Sequence, residues 1–239
     1  MKIICMGDST MQFNNIYRYP QFGWPQLLPL FLKPCYPLLD LARNGRSTNS
    51  YLKQGRFLDL LKRLEPGDYV ICEFGHNDAV KDNPEKYAAP YGAYKDNLLY
   101  FATEIEKKGG HIIFATPICK HVFKDGKCVE SHKDYYEAMV SLCKEHNFPL
   151  VDLDLLTRTL YTNIGEEESA KFHMILPPNT YSNYPYGLDD HTHLRFEGAL
   201  MVAGLFVKDV IRQKLPLADA FLKPSEVDDF DKFMNIKTK

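Results

Sequence analysis

The sequence predicts an α/β fold built on a five-stranded parallel sheet. Short apolar runs alternate with helix-period patterns from end to end. Four of the five runs are nearly continuous rather than alternating, the pattern of strands covered on both faces. No Pro/Gly/Ser-rich linker and no internal repeat interrupts the series, so the 239 residues read as one doubly wound domain over 1–239.

The first run, Lys2–Met6, stops at Gly7 and has no cationic start, long apolar stretch or small-residue cleavage site. It reads as a strand and not as a signal peptide. Pro37–Leu41 and Tyr69–Phe74 are the second and third strands. Tyr94, Leu98, Phe101 and Ile105 then recur at helical spacing and meet Gly109-Gly110, a stop signal. His111–Thr116 is the fourth strand. In Val122–Val129 an Asp125-Gly126 pair lies between apolar positions, the signature of a small inserted β-hairpin. Tyr135, Met139, Leu142 and His146 mark a second helix, and Leu150–Leu153 the fifth strand. Pro177–Asp190 is rich in Pro, Asn, Tyr and Gly and reads as an irregular loop, of the kind that carries function. Phe196, Leu200, Ala203, Val207 and Val210 mark a long closing helix.

Composition narrows the function. With 29 Lys+Arg against 31 Asp+Glu the net charge is −2, which provides no basic field for a phosphate backbone and argues against a nucleic-acid partner. Hydrophobic residues at 45% and charged residues at 25% exclude disordered, collagen-like and coiled-coil chains. No window approaches the roughly 20 apolar residues of a membrane helix, so no membrane partner and a cytoplasmic location are expected. The cysteines at 5, 35, 72, 119, 128 and 143 form no C-x-x-C pair and read as reduced core thiols. Aromatic residues reach 13%, and several tyrosines fall in polar stretches where a ligand could meet them.

Three strand ends carry the chemistry. Gly7-Asp8-Ser9-Thr10 follows the first strand, Arg43-Asn44-Gly45-Arg46-Ser47 the second and Gly75-His76-Asn77-Asp78 the third. In an open parallel sheet, ligands sit at the carboxyl ends of the strands. Ser9 is therefore either an N-cap or a nucleophile. Gly45 and Asn77 are either turn residues or, with the Ser9 N–H, donors of an oxyanion hole. A nucleophilic serine needs a base and a carboxylate to orient it. Asp189-Asp190-His191-Thr192-His193 offers both: in a helical or turn-like backbone, Asp190 or Asp189 reaches His193 while His191 points elsewhere.

Gly7-Asp8-Ser9, Gly45, Gly75-His76-Asn77-Asp78 and Asp190-His191-Thr192-His193 resemble the four blocks of the SGNH (GDSL) hydrolases, in order and over nearly the whole chain. Asn44–Thr48, Glu73–Asp78, the Thr of Gly-Asp-Ser-Thr and Tyr19–Trp24 are similar to the rhamnogalacturonan acetylesterase branch. Pro25 departs from the glycine expected there, but proline suits a first helical turn. The resemblance implies a three-layer α/β/α sandwich of SGNH/flavodoxin-like type. It also implies Ser9 as nucleophile, His193 as base, Asp190 as its orienting carboxylate, Gly45 and Asn77 as oxyanion donors, and neither metal nor organic cofactor. The expected substrate is a small-molecule or oligosaccharide acetyl ester of pectic type, with Arg46, His76, His191 and Tyr184 as the substrate-binding candidates.

Three rivals stand beside this reading. A lipase or thioesterase of the same superfamily would need a long apolar acyl channel, which the polar Tyr- and Asn-rich loops do not suggest. A metal hydrolase using Asp189, Asp190, His191, His193 and His76 would leave Ser9 and Asn77 without a role. A carbohydrate-binding module would have no use for an intact Ser/Gly/Asn/His set.

Overall fold

A computed structural model describes residues 1–223. Its strands are β1 (Ile3–Gly7), β2 (Gln21–Phe22), β3 (Leu38–Asp40), β4 (Tyr69–Glu73), β5 (His111–Ala115), β6 (Phe123–Lys124), β7 (Lys127–Cys128), β8 (Leu150–Val151), β9 (His173–Leu176) and β10 (Leu188–Arg195). Its α-helices are α1 (Thr48–Lys53), α2 (Arg56–Arg63), α3 (Lys95–Lys107), α4 (Asp134–His146), α5 (Leu153–Ile164), α6 (Glu166–Ala170) and α7 (Phe196–Arg212). Two compact units share them. The first takes residues 1–11, 34–117 and 132–152; of the described residues, the second takes 12–33, 118–131 and 153–223. Because the stretches interleave, no single boundary in the sequence separates the units.

The first unit holds the parallel sheet, in the order β3-β1-β4-β5-β8. Ile3 pairs with Leu38 on one side and Tyr69 on the other, and Phe114 pairs with Leu150 at the far edge. Counted within the unit this is the order 2-1-3-4-5, the flavodoxin-like arrangement whose switch point lies between the first and third strands. The fold is thus α/β, a five-stranded parallel sheet flanked by helices, as expected. Every residue of β1 and β4 is buried, which explains their unbroken apolar runs, whereas β3 at the edge is only half-buried. The fifth strand is shorter than its apolar run, because Leu153 already opens α5.

Leu98, Phe101, Ala102 and Ile105 form the buried stripe of α3 and pack with Val70, Phe74 and Phe114 in one core cluster. The helix ends as its glycines require: Gly109 adopts φ +78°, and the Gly110 N–H returns to the Ile105 carbonyl at 3.0 Å. Asn147 ends α4 in the left-handed conformation, with its N–H on the Cys143 carbonyl. A single turn of π-helix over Pro90–Tyr94 precedes α3.

The second unit is organised around α7, which buries Ala199, Ala203, Phe206, Val207 and Val210 among others. Trp24, fully buried, sets its ring 5.0 Å from that of Phe206. Pro25 lies in the first turn of a 3₁₀ helix, Trp24–Leu30, so the departure from glycine is accommodated. The expected hairpin is present as β6 and β7, with Asp125 and Gly126 both at positive φ. The irregular loop ends at Gly187. Leu188–Asp190, expected as loop, instead begin β10, the central strand of an antiparallel sheet β2-β10-β9. The polar run Leu188–Arg195 carries no strand periodicity, and β2 is only two residues long. Cys35 is exposed and corrects the reading of all six cysteines as core thiols: it sits in a Pro-Cys-Tyr turn and not in an apolar run. The other five are buried, and none of the six is disulfide-bonded. Among the described residues no helix is long and apolar enough to cross a membrane.

Candidate active site

In the first unit the catalytic candidates rise from three adjacent strand ends. Gly7 closes β1 where an added Cβ would collide with Met11 and stand 2.6 Å from the Glu73 carbonyl, so only glycine lets β1 and β4 lie this close. Asp8 is fully buried and turns the chain at once, its Oδ1 accepting from the Thr10 N–H and the Thr10 hydroxyl, each at 3.0 Å. Ser9 is held at the tip of that turn and is 8% exposed. The Thr10 hydroxyl also reaches Glu73 Oε1 at 2.7 Å, tying the serine turn to the last residue of β4.

Backbone pairing carries the second strand end alongside the first. The Leu41 N–H donates to the Cys5 carbonyl and the Arg43 N–H to the Gly7 carbonyl, so the chain stays in register with β1 beyond β3 itself. It then turns over Arg43–Arg46, with the Arg46 N–H on the Arg43 carbonyl at 3.2 Å. Gly45 is the third residue of the turn at φ +72°, a conformation that favours glycine. Ser47 then caps α1 through a reciprocal box with Ser50.

On the third strand end, Asn77 Nδ2 donates to Asp8 Oδ2 at 3.4 Å, a long bond that orients its amide toward the serine turn. Asp78 anchors the second strand end to the third: its Oδ1 accepts from the Thr48 N–H at 2.9 Å and the Thr48 hydroxyl at 2.6 Å. Burial pushes the Asp78 carboxyl up to about 7 against these bonds from Thr48, and the neighbouring Asp8 charge adds to the rise. The side chain of His76 is buried against Glu73 at 3.9 Å and donates to or accepts from His132 at 3.1 Å, with the two rings edge to face.

The second unit supplies an acid–base pair. His193 Nδ1 lies 2.6 Å from Asp190 Oδ2, while Asp190 Oδ1 accepts from the Thr192 and His193 N–H groups at 2.9 and 3.0 Å. On a regular strand, residues three apart face opposite sides. Here the register of β10 against β9 slips between Asp190 and Leu194, and this bulge turns the histidine back onto the carboxylate. The expected spacing is therefore realised at a bulge in a strand, where the chain turns locally about the Asp190 carboxylate. Burial would raise the Asp190 carboxyl, but the hydrogen bond and charge of His193, with the two N–H groups, outweigh it and hold the carboxyl well below its ordinary range. Asp189 belongs to the other histidine: His191 Nε2 lies 3.0 Å from Asp189 Oδ1, and its Nδ1 2.9 Å from the His121 carbonyl. The two carboxylates thus serve two separate histidines, and the metal-type grouping dissolves into carboxylate–histidine pairs. His173, deep in β9, is pushed down to about 3 by burial first and by the nearby His121 second.

Of the remaining binding candidates, Arg46 lines a cavity of about 290 Å³ in the first unit together with Asn44, Gly45, Gln54, Glu85 and Lys86. Tyr184 belongs to the irregular loop, where its N–H donates to the Tyr181 carbonyl and its hydroxyl approaches the Arg18 carbonyl at 3.5 Å. Asn183 fastens that loop by donating to the Ile16 and Tyr19 carbonyls, leaving Tyr17 and Tyr186 with 82% and 92% of their surface exposed. Thr10, Glu73, Asp78 and Lys86 have no individual role in the sequence motifs. Their signal lies in partners 30 or more residues away, apart from Lys86, which only the cavity reveals.

The sequence matches the GDSL-like Lipase/Acylhydrolase family over residues 5–199. It is 32% identical over 220 residues to the rhamnogalacturonan acetylesterase RhgT of Bacillus subtilis, covering 92% of this chain and 93% of that one. It is also 32% identical to the probable rhamnogalacturonan acetylesterase YesY of the same organism, over 92% of this chain and 97% of the relative. A rhamnogalacturonan acetylesterase of Emericella nidulans is 25% identical over 96% of this chain and 91% of its own length. Among solved structures, the Bacillus subtilis protein YxiM superposes with a TM-score of 0.78 at 24% identity, over 90% of this chain. The match spans 57% of the YxiM chain. Axe2, an acetyl-xylooligosaccharide esterase from Geobacillus stearothermophilus, superposes with a TM-score of 0.62 at 17% identity over 87% of this chain and 93% of its own. These two structural likenesses speak to the fold.

Proposed function

Because the chain belongs to the GDSL-like lipase/acylhydrolase family and is a carboxylic ester hydrolase, we propose that it removes acetyl groups from acetylated rhamnogalacturonan-type oligosaccharides through an acyl-enzyme on Ser9. The observation that carries the reading is the 2.6 Å contact of Asp190 with His193 Nδ1. A carboxylate there takes the Nδ1 proton as a hydrogen bond and makes Nε2 the basic nitrogen. In the first half-reaction His193 Nε2 accepts the Ser9 proton as Oγ bonds to the acetyl carbon. The carbonyl electron pair moves onto oxygen, where the N–H groups of Ser9 and Gly45 and the Asn77 amide receive it. The ester C–O bond then breaks, and His193 returns the proton to the departing sugar hydroxyl. Water repeats the sequence, and acetate leaves Ser9 as the free serine is restored.

The substrate class is supported by the names of the Bacillus subtilis relatives and by the polar surroundings. Exposed Tyr17 and Tyr186 offer faces for sugar rings, and Arg46 offers a partner for a carboxylate. The test is acetate release from acetylated pectic, xylan and chitin oligosaccharides beside nitrophenyl esters of increasing acyl length, with Ser9→Ala as the control. Pectic acetyl esters and nitrophenyl acetate should turn over well, octanoate poorly, and a serine-directed fluorophosphonate should label Ser9. Full activity in a folded Ser9→Ala protein would remove the mechanism, and a preference for long acyl chains would remove the substrate.

A further inference from the structure

We propose that Lys86 and Arg46 together form a carboxylate-binding subsite beside Gly45, taking a uronic acid carboxylate of the acetylated oligosaccharide; the inference rests on the reading above for its substrate. The cavity of about 290 Å³ carries three charged side chains on its wall. Glu85 is neutralised by Lys53 at 3.1 Å, which leaves the two cations facing the space without an ion-pair partner among the described residues.

Arg46 is held in place from within the unit. Its Nε donates to Gln54 Oε1 at 3.0 Å and its Nη1 to the Asn44 carbonyl at 2.7 Å, while Nη2 has no partner among the described residues. A guanidinium fixed on two nitrogens with the third unused loses little freedom when it binds a carboxylate. The Lys86 ammonium also has no partner among the described residues, and it stands 3.4 Å from where a Cβ on Gly45 would lie. The lysine's backbone is fixed by its N–H on the Asn83 carbonyl at 2.9 Å. Lys53, Lys95 and Lys107 each meet a carboxylate, whereas Lys86 faces the same cavity as the restrained arginine. The other linings, Asn44, Ser50, Gln54 and Asn83, are amides and a hydroxyl suited to sugar hydroxyls, and no aliphatic side chain lines the cavity for an acyl tail. The two cations therefore read the acid group of the sugar while the Gly45 backbone serves the ester.

The test compares kcat/KM for acetate release from an acetylated, galacturonate-containing oligosaccharide and from its carboxyl-reduced counterpart, in wild type, Lys86→Gln and Lys86→Arg. Wild type should favour the acidic substrate, and Lys86→Gln should shrink that ratio about tenfold, as loss of one charge-assisted hydrogen bond implies. Lys86→Arg should retain the ratio within a few-fold. A wild-type ratio near one, or a ratio unchanged in Lys86→Gln, would overturn the subsite. Calorimetric binding of the same oligosaccharide without its acetyl group gives a readout free of the chemistry. Affinity should fall on carboxyl reduction and again in Lys86→Gln; equal affinities overturn the proposal. Carboxylate-dependent binding without any acetate release would sink the esterase reading alone, and rapid release with no acid preference would sink the subsite alone.

Discussion

Replacing Asp190 with asparagine changes one heavy atom and tests the tautomer argument directly. Two backbone N–H groups, from Thr192 and His193, converge on Oδ1 at 2.9 and 3.0 Å. In the variant they hold the amide oxygen in that position, because an NH2 group there would face two donors and leave both unsatisfied. Each such loss costs about 1–3 kcal/mol, so the orientation is fixed by roughly 2–6 kcal/mol. The amide NH2 must then occupy the Oδ2 position, 2.6 Å from His193 Nδ1 in the parent. There it donates to Nδ1, which moves the ring proton to Nε2, the nitrogen that is to receive the Ser9 proton. Recovering the productive tautomer costs about the same 2–6 kcal/mol, and the imidazolium formed in the transition state loses its carboxylate as well. The expected loss in kcat is on the order of 10³–10⁴ with little change in KM, since nothing in the argument touches the sugar. Initial rates on nitrophenyl acetate and on an acetylated oligosaccharide measure it, and circular dichroism checks the fold, which the retained turn at Oδ1 should preserve. A kcat within tenfold of wild type in a folded protein would refute the tautomer role, and a rise confined to KM would assign Asp190 to binding.

Asn77→Ala should lower kcat by roughly 10²–10³ through loss of one oxyanion donor, with the smaller part of the effect in KM; steady-state kinetics on nitrophenyl acetate decides between the two. Asp78→Asn should alter the pH dependence of stability. The carboxyl lies at about 7 in the folded chain against 3.8 unfolded, so between those values the folded protein holds a proton that the unfolded chain has released. Stability therefore falls as pH rises from about 4 to about 7 and levels off above, by at most on the order of 4 kcal/mol. His173 acts with the opposite slope but is common to both proteins, so it cancels in the difference between their denaturation midpoints at pH 4.5 and 8. Identical slopes in the two proteins would contradict the buried, protonated Asp78.

Much of this arrangement is legible from residue order. The buried strands β1 and β4 announce themselves as unbroken apolar runs, and Asp125-Gly126 names its own hairpin, because both signals are local. The order of the Ser, Gly, Asn and His blocks is equally readable. The antiparallel sheet is not: β10 is a polar strand, and its pairing with β2 and β9 is decided by partners far along the chain. The Asp-x-x-His spacing points to the pair that the structure brings together and implies a helical or turn-like backbone there, but that the turn is a bulge within a strand is not readable from the spacing. Thr10 with Glu73, and Thr48 with Asp78, are 63 and 30 residues apart, and no spacing rule links them.

The turn that delivers Gly45 is tied to β1 by main-chain bonds, Leu41 to Cys5 and Arg43 to Gly7. Those bonds form whatever the side chains are, provided that none is proline. On the proposed function, acyl chemistry and sugar preference are therefore written in different parts of the same short segment, one in peptide groups and the other in side chains such as Asn44 and Arg46. On that proposal the segment can be rewritten for another sugar by single substitutions while the proposed oxyanion donor stays where it is, and selectivity can drift without a matching loss of rate.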